Sequence, residues 1–402
     1  MGDEFAVKST YGQVFAVAQF RALFAARLLG VLADTVRSVA LAVLVFGRTG
    51  SPLLTAVAFT IGFLPQAAGG LFLAAMADRF APRTVIAAGY GVQCAIGVLL
   101  AFGNLPVGVG LLLVAAAACL TPVSTGAAAR VLAAVLAGDS YVLGRSLSYL
   151  VAVAAQLVGM AAGGALAAGL GVEWTMLLTA AAHLVAAVLS ALFLARTEPA
   201  RTEVARPRGS IVLDTLRGNA ELLAAPRVAG LIAIQCLPAA LLAAGGSLVI
   251  PYSAERGFTS AETGLLLAAT SAGMLAGDVV VGRSCSPRTR ERLVLPLLLL
   301  MGAPLSTVLL NPPYPAVVAA YALTGTGSAY LLGLQRHYLA AVPDSLQGQG
   351  FALLNTTTMT VQGLGPLLFG LLAEHLPLNH TIALVGATSA LTALLLRRTT
   401  HH

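Results

Sequence analysis

Runs of roughly twenty apolar residues recur along almost the whole chain, and no other feature restricts the possible folds as much. An α-helix needs roughly 20 residues to cross about 30 Å of hydrocarbon. Lipid offers the backbone no hydrogen-bond partners, so each run must satisfy its own amides as a helix. Transmembrane strands would alternate apolar and polar residues in segments of about ten; a stretch such as LLLVAAAACL at 111–120 does not alternate. The composition, 58% hydrophobic and 10% charged with a mean hydropathy of +0.89, lies outside the range of soluble domains. The chain therefore reads as an all-α, polytopic membrane protein whose first partner is the lipid bilayer.

Apolar runs between turn signals predict twelve transmembrane helices, near 20–47, 52–77, 84–103, 106–129, 145–169, 174–195, 228–252, 261–282, 293–310, 315–339, 349–373 and 380–396. The breaks GRTGSP, GNLP, GLGVEW, NPPYP and HLPLNH are short and rich in Gly or Pro, as turns on one face should be. The alternate connections are basic: Arg79 and Arg83; Arg130 and Arg145; six arginines between 196 and 227; Arg283, Arg288, Arg290 and Arg292; then Arg336, with Arg397 and Arg398 in the tail. The opposite set holds Arg48 and Arg256. Positive residues stay inside, so both termini are expected in the cytoplasm. The longest connection, 196–227, reads as a cytoplasmic linker with one short surface helix between bundles at 1–195 and 228–402.

This topology also explains the net charge of +7, because the basic residues sit in short loops; nucleic acid is not expected as a partner. Cys94, Cys119, Cys236 and Cys285 have no paired spacing and read as small hydrophobes. The opening MGDEFAVKSTYGQVF lacks the pattern of a cleaved signal peptide, which leaves the first span as the targeting signal. His401 and His402 read as a purification-tag remnant.

The two halves repeat. Arg130 to Arg336 is 206 residues, Asp139 to Asp344 is 205, Gly159 to Gly365 is 206, and the PRT at 82–84 returns at 287–289, an offset of 205. Four landmarks at one offset imply two parallel six-helix repeats.

Two such halves joined by a long central loop resemble the major facilitator superfamily of secondary transporters, over residues of about 20 to 396. After the second span, AAMADRFAPR keeps Asp78, Arg79 and Arg83 of the family's signature, with Ala74 and Ala81 in place of glycines and Pro82 in place of a basic residue. The opening FRALFAARLLGVLADTVRSVALAVLVFGRTGSPLLTAVAF is similar to the enterobactin-exporter-like and macrolide-efflux-like branch, with its acid in the first helix and its TGSP turn. That resemblance implies export. Exporters of the family often carry Gly-Pro-x-x-Gly-Gly in the fifth helix; here Gly159, Gly163 and Gly164 are present, and the proline is found only in the repeat copy, as Gly365-Pro366. The resemblance further implies that Asp78 and Arg130, with Arg79, Arg83 and Arg336, hold a cytoplasmic gate against the N-terminal end of the eleventh helix. Asp278 would stand in for the acid that Arg283 replaces in the second half.

Asp34 and Arg37 lie near the middle of the first span, where an ionised side chain costs at least about 2.5–3.5 kcal/mol. At about 100° per residue, Arg27, Asp34 and Arg37 share one helical face, which must look into protein or water. Two readings remain open. The pair is a fixed internal ion pair that positions the helix, or Asp34 is a proton-coupling carboxyl tuned by Arg37, whose guanidinium would alternatively bind an anionic part of the cargo. Gln66, Gln156, Tyr330 and Asn355 lie within spans that line the cavity in the resembling fold and offer uncharged hydrogen bonds to substrate, or glue helices together. His183 could relay protons, but with no acidic neighbour in sequence it reads more readily as a packed side chain.

There is no Walker lysine loop, no paired metal-ligand motif and no nucleophile elbow, so an enzyme is not expected and no cofactor is called for. The expected function is proton-coupled export, by antiport, of a small amphipathic molecule such as a drug, natural product or siderophore. The expected setting is the bacterial inner membrane, and the expected state a monomer. A proton-coupled importer, a lipid or lysolipid flippase, and a non-transporting receptor are the rivals.

Overall fold

The computed structural model describes residues 11–73, 80–103, 105–136, 138–195, 211–343 and 346–396. The described residues are almost wholly helical, and each predicted span coincides with a helix or with consecutive helices. The first span is Ala18–Thr49, preceded by a short helix, Tyr11–Ala16. The second is broken into Pro52–Thr60 and Phe63–Phe72. Then follow Pro82–Phe102, Val107–Val135, Gly138–Gly169 and Val172–Phe193 as the third to sixth. Ile211–Ala224 is the short helix expected in the linker. The seventh span is Pro226–Ser247, continued by Val249–Glu255, and the eighth is Ser260–Ser284. The ninth is Pro287–Ser306 with a terminal 3₁₀ turn, Thr307–Leu310. The tenth runs from Tyr314–Gly327 through the 3₁₀ turn Ser328–Tyr330 into Leu331–Ala341. Gln347–Ala373 and Leu378–Leu396 are the eleventh and twelfth. Ten of these pass as spans on length and apolarity, and the bent second span makes an eleventh. The remaining one, Gln347–Ala373, begins with the polar stretch QGQGFALLNTTTMTVQG.

Local chemistry explains the breaks. The second span kinks by 40° at Ile61–Gly62. Pro65 lies four residues beyond Ile61, so it supplies no N–H to the Ile61 carbonyl and its ring crowds that group. At the TGSP turn, Gly50 takes a left-handed φ of 65°. Ser51 then caps the next helix by accepting from the Leu54 amide, and Pro52 occupies its first turn. The Glu374 carboxylate, at the end of the eleventh span, accepts from the Ser51 hydroxyl and from the Leu53 amide, adding negative charge to that helix N-terminus. The eighth span opens with a full capping box between Thr259 and Glu262.

By compactness the chain divides into two units. The first comprises residues 1–37, 68–159 and 173–202; the second comprises 38–67, 160–172 and 203–402. In the first, Phe20, Leu23, Ile86, Val131 and Leu132 form part of a buried apolar cluster. In the second, one cluster gathers Tyr252, Leu266, Tyr321 and Ile382, and another gathers Leu231, Ile234, Leu298 and Tyr338.

The repeat is visible in the helix contacts. In the first unit a Cβ placed on Gly159 would lie 2.8 Å from the Thr35 side chain, so the fifth span meets the first through a position with no side chain. In the second unit a Cβ on Gly365 would lie 2.7 Å from the Ala240 carbonyl oxygen, and the eleventh span meets the seventh. Gly97 on the third span packs against Ala180 of the sixth, and Gly302 on the ninth against Gly386 of the twelfth. Gly69 faces the Cys119 backbone of the fourth span, and Gly273 the Ala322 backbone of the tenth. Small residues let backbones approach where lipid supplies no hydrophobic drive for association. Gly365→Ala should therefore lower the thermal unfolding midpoint in detergent, by the equivalent of about 1–3 kcal/mol of overpacking. Gly108→Ala, where nothing lies within 4 Å of the added carbon, should be neutral or stabilising.

Candidate functional site

Within the first unit, the first, third and sixth spans converge on Asp34. Arg37, one helical turn farther on, places Nη2 at 2.7 Å from Asp34 Oδ1, the i, i+3 geometry expected of one helix face. Arg37 Nη1 donates to Gln93 Oε1 of the third span, also at 2.7 Å. From the sixth span, His183 brings Nε2 to 3.2 Å from the same Asp34 oxygen, while its Nδ1 lies 2.9 Å from the Thr179 carbonyl oxygen. The ring of Tyr90 lies tilted over the imidazole, with centroids 6.3 Å apart. Tyr90 also meets the first span at Gly30, where a Cβ would fall 2.5 Å from its ring.

Asp34, Tyr90 and Gln93 among these groups border a cavity of about 380 Å³. Arg27, Arg145 and the hydroxyls of Thr121 and Ser124 line it too, between apolar surfaces such as Ile86, Leu120 and Leu132. Arg27 Nε donates to the Ser148 carbonyl at 3.1 Å across the first and fifth spans. Exposure separates the roles of the charged pair: the Asp34 side chain is 40% exposed, whereas Arg37 is 5% and His183 0%. Asp34 thus faces the cavity. Arg37 and His183 stand behind it, and Arg37 does not line the cavity. Its guanidinium is engaged by Asp34 and Gln93.

The other residues singled out from the sequence are placed as follows. Asp78 and Arg79 lie outside the described residues. Arg83, in the first turn of the third span, reaches the Leu194 carbonyl at the end of the sixth, 3.4 Å away. Arg130 is half-buried near the end of the fourth span. Arg336 belongs to Leu331–Ala341, and Asp278 is exposed on the eighth span. Gln156 is exposed on the fifth span, Asn355 is exposed on the eleventh, and Gln66 is half-buried on the second. None of these three lines the cavity of the first unit. Tyr330 is buried, at 1% exposure, and donates its hydroxyl to the Gln235 carbonyl at 2.9 Å, joining the tenth span to the seventh. Gln93 and Tyr90 were not chosen from the sequence, and His183 was weighed as a proton relay but read as a packed side chain. The missing neighbour of His183 is Asp34, 149 positions earlier by their numbers and joined to it only by the fold. The four cysteines are all free.

The family model of the Major Facilitator Superfamily matches residues 23–283 and 228–402. The chain belongs to this superfamily. It is a multi-pass membrane transporter built on the superfamily's twelve-helix fold. No curated protein sequence matches it. Among solved structures, it is similar to a POT family transporter in complex with a thioalcohol-conjugated peptide, with a TM-score of 0.67 and 13% identity over 94% of each chain. It is also similar to a bacterial homolog of the human lysosomal transporter Spinster, inward-facing and unoccupied, with a TM-score of 0.66 and 16% identity over 95% of this chain and 97% of that one. At these identities the likeness is one of fold.

In this superfamily member the pairings around Asp34 lead to a stability prediction. Gln93→Leu leaves a buried guanidinium nitrogen without its acceptor and should cost about 1.5–3 kcal/mol. Arg37→Met strips the carboxylate of its cation and should cost about 3–5 kcal/mol. The double variant should cost clearly less than the sum, since both members of the Arg37–Gln93 bond leave together. Unfolding of the four proteins in one detergent, followed by tryptophan-independent dye binding, measures the difference.

Proposed function

We propose that this transporter is a proton-coupled exporter of an amphipathic small molecule, working by alternating access, with Asp34 as its proton-carrying carboxyl. The observation that carries the reading is the placement of Asp34: mid-span, open to a cavity on one side and held by Arg37 on the other. An ionisable group at that depth is expensive unless it serves a pathway. The cavity has apolar walls, two guanidinium groups and several hydroxyls, which suits a molecule with both a greasy body and polar or anionic groups. We place the protein in a bacterial inner membrane with both termini inside, and divide it functionally into six-helix bundles at 1–195 and 228–402. In the same reading Arg83 and Arg130, with Asp78 and Arg79, belong to the cytoplasmic gate, answered from the second half by Arg336 and Asp278. Similarity of the first span and its TGSP turn to the enterobactin-exporter-like and macrolide-efflux-like branch supports the outward direction.

The test uses proteoliposomes loaded with a pH-sensitive dye, to which a macrolide, a catecholate siderophore and a lipophilic cation are added in turn. The parent should move protons against at least one of these compounds, and Asp34→Asn should not. Co-directional flow of compound and protons would replace export by symport. Undiminished proton movement in Asp34→Asn would make the carboxylate purely structural.

A further inference from the structure

We propose that Asp34 and His183 bind one proton as a single unit, with Asp34 as its port to the cavity and His183 as its buried store. The use of that proton in transport rests on the function proposed above; the existence of the site does not.

The argument begins at the far side of the imidazole. His183 Nδ1 lies 2.9 Å from the Thr179 carbonyl oxygen, one turn back along the sixth span. A carbonyl oxygen only accepts, so Nδ1 carries a hydrogen. A neutral imidazole has one N–H, which leaves Nε2 with a bare lone pair. That nitrogen is completely buried, has no other hydrogen-bond partner among the described residues, and faces Asp34 Oδ1 at 3.2 Å. With the carboxylate ionised and the ring neutral, two lone pairs confront each other at the buried nitrogen. Adding one proton removes the conflict, either as imidazolium beside carboxylate or as carboxylic acid donating to neutral ring. The proton comes from hydronium in the cavity, which leaves as water; it bonds first to the Asp34 carboxylate, whose side chain is 40% exposed, and passes from Oδ1 to Nε2 as the O–H bond breaks; discharge is the reverse. No other reactant is needed.

The surroundings make this one site and no more. Arg37 holds Asp34 from the other side at 2.7 Å and is charged in both states. Tyr90 faces the ring from the third span, and Arg27 shares the cavity from the first. The helix of His183 itself, Val172–Phe193, contributes no other charge except Glu173, ten positions away. Adding the repeat offset of 206 to Asp34, Arg37 and His183 leads to Ala240, Ala243 and Ser389, so the second half contains no copy of the unit.

The test is nuclear magnetic resonance of the full chain labelled with ¹⁵N-histidine in lipid nanodiscs, titrated between about pH 5 and 9 without cargo or gradient. His183→Gln identifies the signal. In the parent, His183 Nε2 should pass from protonated or proton-accepting to bare across the titration. In Asp34→Asn the side-chain amide can donate to Nε2, and the ring should stay in the neutral Nδ1–H form throughout. A parent Nε2 signal that never changes, or one that titrates identically in Asp34→Asn, would overturn the unit. Transport separates the two proposals: proton movement lost in Asp34→Asn but intact in His183→Gln would remove His183 and leave the exporter reading standing.

Discussion

The bond between Asp34 and Arg37 is the constraint on which the inner part of the first unit depends. A carboxylate near the middle of a 32-residue apolar helix cannot face lipid at acceptable cost, so the pair fixes which way the first span is turned. Once that rotation is fixed, Gly30 lies under Tyr90 and Gly159 lies over Thr35, and neither position leaves room for a Cβ. The third, fifth and sixth spans are then placed by contact with the first. Gln93 takes one further guanidinium direction and His183 faces the carboxylate, while Arg37 Nε has no hydrogen-bond partner among the described residues. Buried charges of this kind are destabilising unless their hydrogen bonds are nearly complete. A constellation from three helices brings the pair nearer to that completeness than one helix alone can.

Scaffold and chemistry follow different rules in this chain. The contacts that bring helices together recur at the repeat offset: fifth on first and eleventh on seventh, third on sixth and ninth on twelfth. They recur because the requirement is only for small residues at matching heights. The polar constellation does not recur; the offset carries Asp34 and Arg37 onto alanines, Gln93 onto a leucine and His183 onto a serine. A second carboxylate would have needed its own arginine, its own acceptor and its own helix rotation, so duplication of the backbone does not preserve such a site unless every member is kept. The second half buries tyrosines instead, with Tyr330 and Tyr321 donating to the Gln235 and Gly245 carbonyls, which gives each buried hydroxyl a partner.

The same distinction decides what could be read from residues alone. Helix number, the parallel repeat and the membrane class were legible because they depend on local hydropathy and on spacing. The TGSP turn was legible as a turn, but not the Glu374 carboxylate that secures it from the far end of the eleventh span. The 40° break in the second span was written in Pro65 and Gly62 and passed over, because the run stays apolar across it. Asp34 and Arg37 stood out because they share a helix. His183 was visible as a possible relay but read as packed, since a buried histidine acquires meaning from a neighbour, and a single sequence does not display contacts between the first and sixth spans. Tyr330 was read as a cavity residue or a tie between helices; its polarity was visible in the sequence, and its partner, the Gln235 carbonyl, was not.

Residues alone left Asp34 with two incompatible roles, a fixed partner for Arg37 or a carrier of protons. With those two groups only, the roles do conflict. Protonating the carboxylate would leave a buried guanidinium without its counter-charge, a loss of the order of about 3–5 kcal/mol when such a pair is broken. His183 changes the terms. A proton that enters through Asp34 and rests on the imidazole leaves the carboxylate ionised and Arg37 still paired, so the first span keeps its rotation while the site changes its net charge by one. The helix-positioning bond and the proposed coupling reaction then use the same carboxylate without interrupting each other. Placing the exposed acid in front of a completely buried base makes that possible.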